Sequence, residues 1–501
     1  MKISEIFALN KQQHELDFIN IDIDKEIPLF LDAYIFSVRD DVWARECNIL
    51  IEDFFRKIHE YIKLGRKKEL YKLCSPLSEP NETCLGRSKG KPRGAFQSTE
   101  KVVEIFYKLY DIQHQHGNQF DVIKTLSDMK FYIEDVGNDT VSDIITNLIR
   151  FQLLEYTYEQ CRLHNIPTEK MVSKPFWNGI TSRWEKMEDI NQLIIGEKRI
   201  LLVPKNTVFS EGEYTFEKDV FVQHDMLNFL TQQELQIPSS SLIKHRKPKK
   251  DQEIGDPYVT KKSIRERDRV DRKEFVLEFS SKYPEIMDAF KKKKHFKSLD
   301  IEKLYEVQNE KLTDDDYNEL IDAFILTLKS IPSGKSNAYK YHKFISGLLT
   351  FMFYPSLSNP KEETPIDSDR KRIDISYINT AEKGFFKNLK SEITSNYIYV
   401  ECKNYSGKVS NPEFDQLSGR YNESSSKVGF LVCRKISDIN KAYERVSAQF
   451  RRKKDLSLII TDETIHSMLN AMKIRDNKSF VDLSHENILY DIKRKIEVEK
   501  Y

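Results

Sequence analysis

The chain has 501 residues, 32% of them charged and 39% hydrophobic, yet its formal net charge is only +1. That length leaves room for two or three domains with cores of their own, and the balanced charge excludes a histone-like polycation while permitting local basic surfaces. Cys47, Cys74, Cys84, Cys161, Cys402 and Cys433 form no CxxC pair and have no His-rich neighbours, which suggests neither a disulfide framework nor a zinc site and predicts free thiols.

At the N-terminus, MKISEIFALNKQQHELDF lacks a basic stretch leading into an apolar one, and the most apolar run, FISGLLTFMFY at 344–354, is too short to span a bilayer. The expectation is a soluble, cytoplasmic protein without a membrane partner. Residues 1–240 combine short apolar runs such as IPLFLDAYIFSV with helical periodicity in ILIEDFFRKIHEYIKL and VVEIFYKLYDI, predicting a mixed, mainly helical α+β region. Within it, EPNETCLGRSKGKPRGAF spaces Gly86, Gly90 and Gly94 evenly among Arg87, Lys89, Lys91 and Arg93. Freed backbone amides beside cations suit phosphate, but the Gly-Lys-Ser/Thr ending of a nucleotide-binding loop is missing, and a surface loop is the plainer reading. No Ser/His/Asp set or metal-spaced His cluster stands out here. The region reads as a sensing, targeting or partner-binding module.

Residues 241–335 open as a linker dense in Lys, Arg, Pro and Ser up to about 273, then continue as a helical connector in EFVLEFSSKYPEIMDAF and DDDYNELIDAFILTLKSI, the latter with the acidic start that suits a helix N-terminus. The run Lys291-Lys292-Lys293-Lys294 adds positive charge there, either for solubility or for nonspecific nucleic-acid affinity.

Residues 336–490 read as helix, strand, long excursion, strand, helix, strand: YKYHKFISGLLTFMF, RKRIDISYI, NYIYVECKNY, PEFDQLSGRY and VGFLVCRK, hence an α/β domain with a central mixed sheet flanked by helices. Alternation in RKRIDISYI sets Asp374 apart from Ile373 and Ile375, and in YIYVECKNY it puts Glu401 and Lys403 on one face. If the two strands are neighbours, Asp374 and Glu401 converge on a divalent cation, with the Cys402 backbone carbonyl as a third oxygen. That is the hard-ligand set Mg²⁺ prefers. Lys403 then stands beside metal-bound water, an arrangement suited to phosphodiester hydrolysis. An acidic-x-Lys triplet alone is weak, since Asp491-Ile492-Lys493 is another; the β-rich context distinguishes Glu401-Cys402-Lys403.

RKRIDI and YIYVECKNY together resemble the split motif of the PD-(D/E)xK, or restriction-endonuclease-like, superfamily, particularly its Mrr-like branch and related nucleases of bacterial anti-phage systems. The resemblance covers about a third of the chain and implies an αβββαβ fold. It implies Asp374 and Glu401 as metal ligands, Lys403 as catalytic lysine, Gln416 as an assisting residue on the following helix, Mg²⁺ (Mn²⁺ substituting) as cofactor, and DNA as substrate. Two departures stand out: Tyr341-His342 occupies the place of a Phe-Glu pair, and DSDRKRID lacks a Gly before the first motif strand. Glu362, Glu363, Asp367 and Asp369 are candidates for a second metal position. Arg420, Arg434, Lys435, Arg451 and Arg452, with Lys453 and Lys454 beside them, are candidate phosphate contacts. Cutting two strands with one site per chain favours a homo-oligomer. A DNA-repair or junction-processing nuclease, and an inactive DNA-binding protein of the same fold, are the competing readings.

Overall fold

The computed structural model describes residues 1–86, 98–115, 125–134, 136–212, 214–248, 254–293, 295–362, 375–407, 411–473 and 483–498. Helices and short strands mix in the first 240 residues. Helix α1 (Val42–Lys63) starts where the Asp41 carboxylate accepts from the Ala44 amide at 3.0 Å, and it buries Trp43, Cys47, Leu50, Ile51, Phe54, Ile58 and Ile62, the three-and-four spacing of an amphipathic helix. Helix α2 (Arg150–His164) follows, and the strands here are short, the longest described being Ile190–Ile195.

The charged stretch at 241–273 carries local structure among its described residues. Lys244–His245 pairs with Pro257–Tyr258, helix Lys261–Asp268 is capped by the Thr260 hydroxyl, and Ile264 and Val270 are fully buried. The connector comprises several helices. Lys273–Lys282 and Pro284–Lys292 are separated at Tyr283, which precedes a proline, and α3 (Asp314–Ser330) has a reciprocal cap between Thr313 and Asp316.

The C-terminal region is α/β. Its order is α4 (Ala338–Met352), β1 (Leu357–Glu362), β2 (Ile375–Asn379), α5 (Gly384–Glu392), β3 (Tyr397–Gly407), α6 (Asn411–Ser418), β4 (Val428–Ile436), α7 (Ile439–Lys453), β5 (Leu456–Thr461), α8 (Asp462–Lys473) and α9 (Asn487–Val498). The strands form one five-stranded mixed sheet in the order β1-β2-β3-β4-β5. β1 with β2 and β2 with β3 are antiparallel, and β3 with β4 and β4 with β5 are parallel. Each parallel pair is joined through a helix, as parallel neighbours require. α4 lies against the sheet: the Tyr377 hydroxyl donates to the Ser346 carbonyl at 2.9 Å, and Phe353 packs on Phe430.

β1 and α5 are additions to the predicted order. LSNPKE carries a proline, a break in register between Ser358 and Lys361, and Asn359 at φ +50°, a pattern tolerated at a sheet edge and unrecognisable as alternation. The edge is covered. Gln160 of α2 donates to the Pro360 carbonyl at 3.1 Å, and buried Asp17 accepts from the Asn359 amide at 3.0 Å. The N-terminal half therefore protects the strand edge, and buried apolar residues form one cluster reaching from Ile3 to Ile496. Asp491 and Lys493, the chance triplet, lie on α9, where Lys493 pairs with Glu392 at 2.6 Å.

Two local features invite measurement. Gly384 opens α5 at φ +77°, and an added Cβ would run into the Glu486 carboxylate, which accepts from the Phe385 amide at 2.6 Å. Gly384→Ala lowers the thermal unfolding midpoint by the equivalent of about 1–3 kcal/mol. At the other tie between the halves, Asp40 binds Lys387 at 2.7 Å and Lys390 at 2.9 Å. Partial burial works to raise its carboxyl, but the two ammonium groups prevail and hold it at about 2, below the ordinary 3.8. The stabilisation is complete above the ordinary value and is lost as pH falls through about 2. Asp40→Asn therefore narrows the stability difference between pH 6 and pH 2, measured by chemical denaturation at each pH.

Candidate functional site

β3 alternates as its sequence requires. Ile398, Val400 and Cys402 are buried on one face, and Tyr397, Tyr399, Glu401 and Lys403 project from the other. On one side β3 pairs with β4, Glu401 opposite Leu431 and Lys403 opposite Cys433. On the other side the last described pair with β2 is Val400 with Ile375. Asn404 pins the far end of the strand by donating to the Pro332 and Gly334 carbonyls at 3.0 and 2.9 Å.

Glu401 is 1% exposed, so its charge needs partners. Lys403 donates a hydrogen bond to Oε1 of Glu401 and stands 3.3 Å from Oε1 of Gln416. α6 delivers Gln416 because Phe414 and Leu417, at 1% and 0% exposure, anchor that helix to the core. The second carboxylate oxygen, Oε2, is buried and accepts no hydrogen bond. Arg420 of the turn after α6 lies 3.8 Å from it, close enough for an ion pair.

His342, standing where the resemblance implies Glu, approaches β3 from behind on α4, where it is hydrogen-bonded to the Cys402 backbone. Burial pushes its imidazole down to about 4 and the Lys403 charge adds to that, against the Cys402 backbone hydrogen bond and Glu401. The ring is neutral at pH 7. Burial likewise raises the Cys402 thiol far above its ordinary value, so no thiolate forms there at neutral pH.

Of the remaining expected residues, the described ones scatter. Asp374 lies outside the described residues, as do Glu363, Asp367 and Asp369. Glu362 is opposite Ile375 on β1, with Lys343 3.6 Å from its carboxylate. Arg434 turns inward: its guanidinium donates to Asp462 at 2.8 Å and to the Leu328 carbonyl at 2.9 Å, and it lies over the Tyr341 ring at 4.7 Å. Tyr341 completes that network through its hydroxyl on Asp462 at 2.9 Å. Lys435 is exposed near the end of β4. Arg451 and Arg452 are exposed in the last turn of α7. The strand that follows begins with Leu456 opposite Val428, three residues before Leu431, which is about 10 Å along the sheet from the Glu401 row. Gly86, at φ +137°, faces the Asp139 and Glu26 carboxylates, and residues 87–97 of that loop lie outside the described residues. Lys291 and Lys293 are paired with Asp128 and Asp225, while Lys294 is outside the described residues.

Sequence reading alone missed the pairing of Arg420 with Glu401 and the Arg434–Asp462–Tyr341 network. No local signal marks either, since Asp462 is 28 residues from Arg434. Among the described residues no group of three or more His, Cys, Asp and Glu side chains could hold a metal ion, and no helix is long and apolar enough to cross a membrane. A family model described as a domain of unknown function (DUF8370) matches residues 8–215, which end well before this site. No curated protein and no solved structure matches the chain.

Arg434 and its neighbour give a test of these placements. Arg434→Met leaves Asp462 partly buried without its cation and costs about 2 kcal/mol in denaturant unfolding. Lys435→Met, on the open surface, changes stability by less than about 0.5 kcal/mol.

Proposed function

We propose that the C-terminal region is a metal-dependent DNA endonuclease of the PD-(D/E)xK, restriction-endonuclease-like class. Its supports are the resemblance of RKRIDI and YIYVECKNY and an order of elements that suits such a domain. From α4 to β4 it runs helix, three strands, helix, strand, with α5 inserted, and pairs antiparallel, antiparallel and parallel. The observation that carries the reading is the buried Glu401 carboxylate, with one oxygen engaged by a lysine that Gln416 steadies and the other without a hydrogen bond.

A buried carboxylate oxygen lacking a donor is a fitting ligand for a hard cation, and the Cys402 backbone carbonyl is of the same chemistry. Asp374 immediately precedes Ile375, whose backbone pairs with Val400, the neighbour of Glu401. Asp374, Glu401 and the Cys402 carbonyl would thus hold Mg²⁺ or Mn²⁺, which when bound supplies polarisation of the phosphate and a more acidic water. Lys403 orients the nucleophilic water and offsets the negative charge that develops on the phosphate. Gln416 limits the rotamers open to Lys403. His342, being neutral, adds no charge to the site.

The biological role follows from the resemblance: an effector of bacterial anti-phage defence, in which the N-terminal half senses a trigger or binds a partner. That half is tied to the C-terminal region through Asp17 and Gln160 on β1 and through Lys343 of α4, which donates to the Leu163 carbonyl. α4 also bears His342.

The test is a plasmid topology assay. The purified chain nicks or linearises supercoiled DNA with Mg²⁺ or Mn²⁺ and not with chelator, and Glu401→Gln and Lys403→Met each slow cutting by about 100-fold or more. Equal cutting by Glu401→Gln, cutting in chelator, or a plasmid left intact by the wild-type chain under every condition counts against an autonomous metal-dependent nuclease.

A further inference from the structure

A cavity of about 290 Å³ lies where several separated stretches of the chain meet, at the small end of the range usual for pockets that hold a small molecule. The connector supplies Phe296, Lys297 and Ser298, and the turn after α4 supplies Pro355. The link from β2 to α5 supplies Ala381 and Lys383, and Leu483 stands ahead of α9. The N-terminal half reaches the wall from behind, where Asn206 donates to the Thr380 hydroxyl at 3.4 Å.

The lining divides in two. Phe296 and Ala381, both buried, form an apolar wall with Pro355 and Leu483. The polar groups still open beside that wall are donors. Lys297 and Lys383 are exposed and enter no ion pair among the described residues, and the Ser298 hydroxyl makes no hydrogen bond among them. The deeper hydroxyls are already engaged: Thr380 donates to the Pro355 carbonyl at 2.8 Å, and Ser356 to the Glu486 carboxylate at 3.0 Å. Glu382 adds one carboxylate at the rim, which the two lysines outnumber.

We infer that this cavity binds a small organic anion. Its apolar body lies against Phe296, Pro355, Ala381 and Leu483, and its carboxylate or phosphate head takes charge-assisted hydrogen bonds from Lys297 and Lys383 and one more from Ser298. A neutral molecule of the same shape would leave both ammonium groups unused, and an inorganic anion would leave the apolar wall in water, forgoing the gain of burying it. A ligand so placed touches the connector, the start of α5 and the approach to α9 at once, and stabilises the folded chain by mass action. None of these residues belongs to the Glu401 site, so binding here is independent of nuclease activity.

The experiment is a fluorescence titration of the full chain with anilinonaphthalene sulfonate, an apolar ring system bearing one anionic head. Wild type binds the dye saturably while near-ultraviolet circular dichroism shows an intact fold, a control needed because the dye also reports loosened cores. Lys297→Gln combined with Lys383→Gln weakens binding by at least about fivefold. Lys67→Gln combined with Lys68→Gln, which removes the same charge from the exposed side of helix Lys67–Cys74, changes the affinity by less than about twofold. Ser298→Trp fills the cavity and abolishes binding; should that chain unfold, the exposed lysine pair decides alone. Naphthyl phosphate and naphthoate serve as competitors, and displacement of the dye by either supports the site and shows which head it prefers. No saturable binding to wild type, equal affinity in the Lys297 and Lys383 double variant, or displacement by neither competitor overturns the site.

Discussion

A carboxylate at the centre of a sheet has to be compensated, and Glu401 is nearly without solvent. Removing one ion from water costs several kcal/mol unless opposite charge and hydrogen bonds replace the hydration. The surroundings of β3 meet that demand. Lys403, two residues on, lies on the same face because of the strand's period, Gln416 stands 3.3 Å from its ammonium group, and the turn after α6 brings Arg420 to the remaining oxygen. The same requirement makes the site chemically interesting, since the compensation stops short of a hydrogen bond at Oε2. The compensation that burial demands is thus met at one carboxylate oxygen and left short at the other.

The sheet that carries this carboxylate depends in turn on the N-terminal half. β1 is an irregular edge strand with a proline and a left-handed asparagine, and α2 and Asp17 supply the partners it would otherwise lack. Asp17 is itself buried beside the Tyr156 hydroxyl, which donates to it at 2.8 Å. Residues matched by the DUF8370 family model therefore contribute directly to the integrity of the C-terminal sheet. A change in that half has a physical route to α4 and its His342 through packed groups, without any need for a loose tether.

The fate of the predicted cations illustrates how far composition reaches. Arg420, Arg434, Lys435, Arg451 and Arg452 are alike in sequence, yet one is paired with Glu401, one is locked to Asp462 under Tyr341, and three are exposed. A basic side chain within a domain has no address until the helices on either side of it are placed. Arg451 and Arg452 belong to a helix that returns antiparallel to β4, and that geometry carries them towards the far end of the sheet.

By itself the sequence determined the elements with clean periodicity: α1 by its apolar stripe, α4, β3 by strict alternation, and the shared face of Glu401 and Lys403. Those are local consequences of backbone geometry, readable within a dozen residues. It also showed that the acidic-x-Lys triplet at 491–493 lacked a β-rich setting, and the helix there agrees. Only the tertiary structure decided that LSNPKE is a strand, because an edge strand with a proline is stabilised by what covers it rather than by its own pattern. Only the tertiary structure joined Arg420 to Glu401, Arg434 to Asp462 and His342 to the back of β3. Such pairs are set by the packing of elements distant in the chain, and no local rule of spacing encodes them.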